Sequence, residues 1–317
     1  MSRVTHRAPL HERRGRGAGW RVARSRAGIA MFAAAVLLAC SDGAGPGGDP
    51  PFPPFAPIVF VSTDDAGHSQ LYSLDAESGV VTPITETTSN ESEPHSAAGK
   101  LVFTSDRDGN SEIYTAANDG ANVQRLTTNA AADFAPALSP DGSRVAFASD
   151  RSGIVRVYVM DASGANVAAL ATGSAASVPE QSPAWSPDGS MIAFASVSTG
   201  TSQVFVVAAA GGTAEQVTHE ASGAFEPAWT ADGTRIVYTP GVGNALHVVT
   251  LGTGATDAFP IESQDMGEPA CDASYCVGAL VPTSGAADLV AYTVSDHRRR
   301  VLLARSQDDR QPAFLVP

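Results

Sequence analysis

Three glutamates, Glu93, Glu226 and Glu268, each stand directly before a proline in closely similar short phrases, and His95 follows the first of them. If these phrases occupy equivalent places in a repeated structure, their carboxylates converge on one region. Carboxylate oxygens are ligands that Ca²⁺ prefers, and carboxylates with raised pKa values serve as general acids or bases. A third interpretation leaves them as solvated residues without a ligand. The residues alone leave all three interpretations open, with His95 as a further candidate for ligand binding.

The elements that must position these residues form a repeat, whose strongest copy covers residues 182–196. Its centre, Pro187-Asp188-Gly189, predicts a tight turn, because proline presets φ, aspartate bonds its own backbone and glycine accepts positive φ. Apolar and polar positions alternate after the turn, which predicts a β-strand. Further copies surround Asp141-Gly142 and Asp232-Gly233.

Two series of residues count the repeats. One aromatic residue marks each unit, at intervals of 43, 44, 47, 44 and 54 residues: Phe60, Phe103, Phe147, Phe194, Tyr238 and Tyr292. An apolar series in the outer strands has nearly the same spacing: Ile84, Leu126, Leu170, Val217, Ile261 and Leu315. The agreement predicts six units, with extra residues between Ile261 and Tyr292.

The two ends of the repeat are less regular. No turn phrase precedes residues 57–60, so the first unit lacks a regular inner strand. In the last unit, residues 288–293, 299–303 and 312–316 fit the second, third and fourth strands. How the two ends of the chain join does not follow from the sequence.

The repeat phrases resemble the WD-like β-propeller repeat of the TolB family. The match is closest at Ser105-Asp106-Arg107-Asp108-Gly109, at Arg125-Leu126-Thr127 and at Val157-Tyr158-Val159-Met160-Asp161. The resemblance implies an all-β fold, a six-bladed β-propeller of four-stranded antiparallel blades over residues 57–317. Closure into a ring also removes exposed sheet edges. It implies a form without the α/β domain that precedes the family's propeller, for which this chain has no room.

Within such a ring, the phrases before the prolines place Glu93, Glu226 and Glu268 near the mouth of the central channel. Residues 106–112 superficially suggest a calcium loop. They align, however, with the family's ordinary turn between the second and third strands and have a counterpart in Asp150-Arg151-Ser152-Gly153. We therefore interpret them as turn residues.

The amino-terminal segment has the pattern of an export signal. Eight arginines precede an apolar run over residues 27–39, which is too short to span a bilayer as a helix. Leu37-Leu38-Ala39-Cys40 resembles the bacterial lipobox, which implies a signal peptide over residues 1–39 and lipidation of Cys40. An ordinary signal peptide and an uncleaved anchor are the alternatives. Residues 40–56 are rich in Gly and Pro and indicate a tether. Ser41 favours sorting to the outer membrane, with the domain in the periplasm or at the cell surface.

Charge and cysteine usage agree with export. The chain has a net charge of −13, and loss of residues 1–39 leaves 12 basic against 32 acidic residues, a net charge of −20. Nucleic acid, which proteins bind by neutralising phosphates, is therefore not an expected partner. Cys271 and Cys276 remain as a pair in an oxidising compartment, where we expect them to form a disulfide.

The sequence contains neither a G-x-S-x-G elbow nor an H-E-x-x-H motif. The sequence therefore favours a lipid-anchored, monomeric binding module of the cell envelope, with a protein or a glycan as partner and Ca²⁺ in the channel as one option. The alternative is a carbohydrate-active or other hydrolase or lyase with its site at the channel mouth.

Overall fold

A computed structural model describes residues 54–242, 246–258, 265–281, 287–293, 299–304 and 307–316. Within these ranges the chain forms strands and turns. No helix long and apolar enough to cross a membrane occurs in them. The predicted signal segment 1–39, Cys40 and most of the tether over residues 40–56 lie outside the described residues.

Twenty-four strands form six four-stranded antiparallel sheets. In chain order they are β1 (Ile58–Thr63), β2 (Ser69–Asp75), β3 (Val80–Pro83), β4 (Glu91–Ala97), β5 (Lys100–Ser105), β6 (Glu112–Ala117), β7 (Gln124–Arg125), β8 (Asp133–Leu138), β9 (Arg144–Ser149), β10 (Arg156–Asp161), β11 (Ala168–Ala169), β12 (Glu180–Trp185), β13 (Met191–Ser196), β14 (Gln203–Ala208), β15 (Glu215–Gln216), β16 (Ala224–Trp229), β17 (Arg235–Pro240), β18 (His247–Thr250), β19 (Thr256–Ala258), β20 (Asp265–Cys271), β21 (Tyr275–Val281), β22 (Asp288–Thr293), β23 (Arg299–Leu303) and β24 (Arg310–Phe314).

The six sheets are the blades of a β-propeller, as the sequence predicts. Blades 2 to 6 each contain four consecutive strands, from β4–β7 to β20–β23. The first strand of each of these blades is its inner strand, and it contacts the inner strands of both neighbouring blades around the ring. The core therefore lies between the faces of adjacent blades.

The turn between the first and second strands is held by its aspartate. In blade 4, Oδ1 of Asp188 accepts hydrogen bonds from the hydroxyl of Ser186 at 2.6 Å and from the N–H of Ser190 at 3.0 Å. These bonds lower the pKa of Asp188 to about 2. Gly189 has a φ of +70°, which a side chain would disfavour. Asp141 and Asp232 make the same bonds in blades 3 and 5, so the repeated phrase specifies a repeated turn.

Stacked aromatic pairs connect the second and third strands of blades 2 to 4. Phe103 stacks on Tyr114 at 5.8 Å between ring centroids, and Phe147 stacks on Tyr158 at 5.9 Å. Both phenylalanines are fully buried. In blades 1 to 5 the aromatic residue that counts the units therefore marks the second strand, which has a neighbouring strand on both sides.

The ring is closed by the last strand of the chain. β24 pairs with β1 antiparallel and becomes the inner strand of blade 1, in the order β24-β1-β2-β3. The missing inner strand of the first unit is thus supplied by residues close to the carboxyl end. Backbone hydrogen bonds between the two ends hold the circle of blades together.

The strand assignment of the last unit was wrong. Residues 288–293 form the third strand of blade 6 and residues 299–303 its fourth, while the second strand is β21. Gly278 occupies the position that an aromatic residue occupies in the other blades. It follows Val277, which pairs with Ala270, just as Phe103 follows Val102, which pairs with His95. The next aromatic residue in the series is therefore Tyr292, on the third strand of blade 6, and this explains the final interval of 54 residues. Residues 310–314 belong to an inner strand, so Leu315 does not mark an outer one.

The closure predicts a measurable role for Gln311. Its Oε1 accepts a hydrogen bond from the N–H of Glu93 at 2.8 Å, which joins blade 1 to blade 2. We expect Gln311→Ala to lower the free energy of unfolding by about 1–2 kcal/mol, because it removes the partner of a half-buried backbone donor. Chemical denaturation measures this change.

Gln181 provides the matched control, because it is an exposed glutamine on another inner strand, β12. Gln181→Ala should change the free energy of unfolding by less than about 0.5 kcal/mol. Equal losses in the two variants would contradict a special role for the closure bond.

Candidate functional site

The residues before the prolines lie in bulges at the middle of the inner strands. The register shifts between Ser92 and His95 in blade 2, and corresponding shifts occur in the other five blades. Where described, the residue before the proline has a positive φ of 49° to 52°: Glu93, Ala135, Ser182, Glu226 and Gln311. Residues other than glycine seldom adopt this conformation, so the same strained geometry is built into blade after blade.

The carboxylate of Glu93 is already engaged in joining two blades. Its Oε2 accepts hydrogen bonds from the N–H of Ala135 in blade 3, at 2.7 Å, and from the hydroxyl of Thr104, at 2.8 Å. The N–H of Glu93 in turn donates to Gln311 in blade 1. Three consecutive blades are thus linked through their bulges. The sequence signal for Gln311 is its phrase Gln311-Pro312-Ala313, which is not recognised when residues 312–316 are assigned to a fourth strand.

The other two glutamates occupy equivalent positions in blades 5 and 6. Oε2 of Glu226 accepts a hydrogen bond from the hydroxyl of Thr239 at 2.9 Å, as Glu93 does from Thr104. Glu268 lies within β20, and its side chain is outside the described residues. No group of three His, Cys, Asp or Glu side chains suited to a metal ion occurs in the described ranges. Calcium binding and acid–base catalysis at these glutamates stay predictions.

His95 stands where the other inner strands carry alanine. Its Nδ1 accepts a hydrogen bond from the N–H of Leu138 in the next blade at 3.2 Å, so the ring hydrogen is on Nε2. Burial lowers the pKa of His95 to about 4. At neutral pH the site therefore presents an uncharged imidazole, which suits hydrogen bonding and does not attract an anion by charge.

A second set of carboxylates, two positions before the bulge residues, is fully buried. Glu91 pairs with Arg107 at 3.0 Å, and Asp133 pairs with Arg151 at 2.8 Å. The guanidinium of Arg107 also lies over the ring of Tyr114, 4.6 Å from its centroid. Sequence reasoning did not find these pairs, although the repeated Asp-Arg turn contained the signal. The arginines of this turn therefore have a structural role, because a buried carboxylate requires a partner.

Cys271 and Cys276 face each other at the hairpin between β20 and β21. Their sulfur atoms are 2.08 Å apart and their Cα atoms 4.1 Å apart. The turn between them is also held by Asp272, whose Oδ1 accepts hydrogen bonds from the N–H groups of Ser274 and Tyr275, both at 2.7 Å. The pair therefore fastens the inner hairpin of blade 6.

Two surface grooves lie beside the Pro-Asp-Gly turns. The Arg144 groove, of about 410 Å³, lies between blades 3 and 4 and is lined by Asp141, Arg144 and Asp188 among others. The Met191 groove, of about 540 Å³, lies between blades 4 and 5 and contains Met191 and Trp229. Both are concave surfaces between neighbouring blades, outside the bulges of the inner strands.

These observations define the class of protein: a six-bladed β-propeller of four-stranded repeats, closed by its own terminal strand and joined blade to blade through polar bulges. Residues 128–313 match the model of the TolB beta propeller domain. The chain therefore belongs to the TolB β-propeller family.

Curated relatives match over short segments. The uncharacterized protein Atu1656 of Agrobacterium fabrum is 36% identical over 77 residues, which are 24% of this chain and 26% of that protein. The Tol-Pal system protein TolB of Geobacter sulfurreducens is 50% identical over 44 residues, 14% of this chain and 10% of that protein. The matched segments thus span about a quarter or less of these relatives.

Solved structures share the fold over most of the chain. The crystal structure of TolB from Acinetobacter baumannii superposes with a TM-score of 0.71 at 20% identity, covering 83% of this chain and 67% of that one. At this level of identity the likeness concerns the arrangement of the blades.

The lowered pKa of His95 predicts that the stability of the protein depends on pH. An unfolded histidine titrates near pH 6.5, so between about pH 6.5 and pH 4 the unfolded state binds a proton that the folded state excludes, and stability falls as the pH falls. For a pKa of about 4, the loss between pH 7 and pH 5 is about 2 kcal/mol. We expect His95→Ala to remove this loss, as measured by chemical denaturation at the two pH values. If the difference in stability between pH 7 and pH 5 is the same in the variant, the half-buried imidazole is not held neutral.

The cysteine pair gives a second prediction. Protein produced with export to an oxidising compartment should contain no free thiol at Cys271 or Cys276 by mass spectrometry. Closing so short a loop removes little chain entropy, so replacing both cysteines with serine should cost about 2 kcal/mol of stability. Two free thiols in the exported protein would rule out the disulfide.

Proposed function

We propose that this protein is a binding module of the bacterial cell envelope, exported and held at the outer membrane by lipid on Cys40. Membership of the TolB β-propeller family carries the proposal, and the Tol-Pal system protein TolB of Geobacter sulfurreducens is among the similar proteins. The ligand class that we favour is an envelope protein, with an envelope glycan as the second option.

The channel chemistry supports binding over catalysis. Oε2 of Glu93 is hydrogen-bonded to Ala135 and Thr104, and His95 is neutral and bonded through Nδ1. These polar atoms thus join adjacent blades or brace their own blade, so their hydrogen-bonding capacity is used within the ring. A rigid ring of this kind presents its turns and grooves as fixed surfaces, which reduces the entropy lost when a partner binds.

The amino-terminal pattern supports the proposed location. A basic segment, a short apolar run and Leu37-Leu38-Ala39-Cys40 precede a tether rich in Gly and Pro. Such a tether behaves as a flexible chain, so a lipid on Cys40 would keep the propeller near the membrane without fixing its orientation. The net charge of −20 on the remaining chain favours basic partners.

Crosslinking in intact cells tests the proposal. The exported protein should sediment with the outer membrane and crosslink to a dominant envelope protein, which mass spectrometry identifies. Cys40→Ser should release the protein from the membrane fraction. Because Cys40 precedes the first strand, β1, this variant should unfold at the same temperature as the parent protein.

The outcomes separate the parts of the proposal. Recovery of a glycan and no protein would favour the second ligand class. Recovery of neither would contradict a binding function, and membrane association that survives Cys40→Ser would contradict the lipid anchor.

A further inference from the structure

Blade 4 departs from its neighbours at the first residue of the second strand. In blades 2, 3 and 5 this residue is a cation: Lys100, Arg144 and Arg235. In blade 4 it is Met191. The groove between blades 4 and 5 therefore lacks a positive charge that comparable positions in the ring possess.

In blades 2 and 3 this cation reaches the next blade. The guanidinium of Arg144 lies over the ring of Trp185 in blade 4, 4.6 Å from its centroid. Nζ of Lys100 donates a hydrogen bond to the carbonyl of Gly142 in blade 3 at 2.9 Å. In the Arg144 groove, Asp141 and Asp188 flank this internal guanidinium. A tryptophan, two carboxylates and one cation thus complete the site from within the chain.

The Met191 groove has the same parts without the cation. Trp229 is the counterpart of Trp185, and each indole N–H donates to an inner-strand carbonyl of the preceding blade, at 3.1 Å and 3.0 Å. Met191, Val217 and Leu251 pack around Trp229 and form an apolar floor.

The rim of the Met191 groove is acidic. Asp188, Glu215 and Asp232 line it and are exposed. Arg235 closes the same turn as Asp232 and contributes to the lowered pKa of Asp232, but it does not line the groove. Among the described residues, Asp188 and Glu215 form no ion pair with any cationic side chain.

We infer that the Met191 groove binds a lysine or arginine side chain on a basic segment of the partner protein. The methylene stem of such a side chain would lie along the apolar floor, and its charged head would reach the carboxylates of the rim. Methionine adapts its shape readily, so Met191 can move aside and let a cation approach Trp229. The inference rests on the proposed function and adds the chemistry of the partner and the face that receives it.

A peptide titration with the full exported protein tests the inference. The probe is a short fluorescent peptide rich in arginine, compared with peptides of the same length in which glutamate or serine replaces arginine. We expect saturable binding of the basic peptide at a ratio of one to one, weakening as salt rises. Absence of binding, or equal binding of the acidic peptide, would overturn the inference.

Two reciprocal variants locate the site. Met191→Arg introduces the residue that blades 3 and 5 carry at this position, so it should fold normally and lower the affinity by about tenfold, or about 1.4 kcal/mol. Arg144→Met removes the internal cation from the Arg144 groove and should raise the ratio of peptide to protein from one to two. Unchanged affinity in the first variant or an unchanged ratio in the second would overturn the inference.

Glu215→Gln gives an independent check, because Glu215 is exposed and has no ion pair to lose. It should lower the affinity severalfold and leave the melting temperature unchanged. A concentration-dependent dimer that Met191→Arg abolishes would show a second copy of the chain as the occupant and would overturn the choice of partner.

The inference about the Met191 groove can fail while the proposed function stands, and the reverse is also true. A crosslinked envelope protein that is recovered equally with Met191→Arg would leave the proposed function standing and remove this inference. Failure to recover any protein or glycan in cells would remove the proposed function, whatever the peptide titration shows.

Discussion

The structure depends on the pairing of β24 with β1. A blade of this repeat cannot bury both of its faces alone, so each needs neighbours on two sides, and only a closed ring provides them for all six. The strand that completes blade 1 comes from the carboxyl end of the chain, which places residues such as Gln311 and Glu93 in contact across a separation of 218 positions. Closure therefore joins the two ends by backbone hydrogen bonds and by side chains of the inner strands.

The same constraint explains why the polar residues of the inner strands are poor evidence for a reaction. A bulge before proline leaves backbone N–H groups without partners in the ladder, and these groups must be satisfied when they are partly buried. Glu93 and Gln311 satisfy them across blade boundaries. The buried pairs Glu91–Arg107 and Asp133–Arg151 likewise neutralise charge inside the blades. Much of the charge that attracts attention in the sequence thus stabilises the ring.

Differences between blades are then the places where a particular function can arise, because the fold alone is compatible with many functions. His95 in a position otherwise occupied by alanine is one such difference, and Met191 in a position otherwise cationic on either side is another. The second lies at an open groove of about 540 Å³ with an acidic rim, whereas the first is half-buried and uncharged at neutral pH.

The sequence by itself determined the repeat, because local chemistry specifies its turns: Asp188 and Gly189 impose the same bonds and the same φ wherever their phrase recurs. The six blades and the alternation of their strands follow from that periodicity. Only the tertiary structure decided which strand begins the ring, because β24 and β1 meet through long-range pairing that no local pattern encodes. The tertiary structure also decided the role of Glu93, because a glutamate before a proline reads the same in the sequence whether its carboxylate binds a cation or the next blade. The replacement of Arg by Met191 was visible in the sequence, but its meaning depended on Trp229, which the fold brings beside it from another blade.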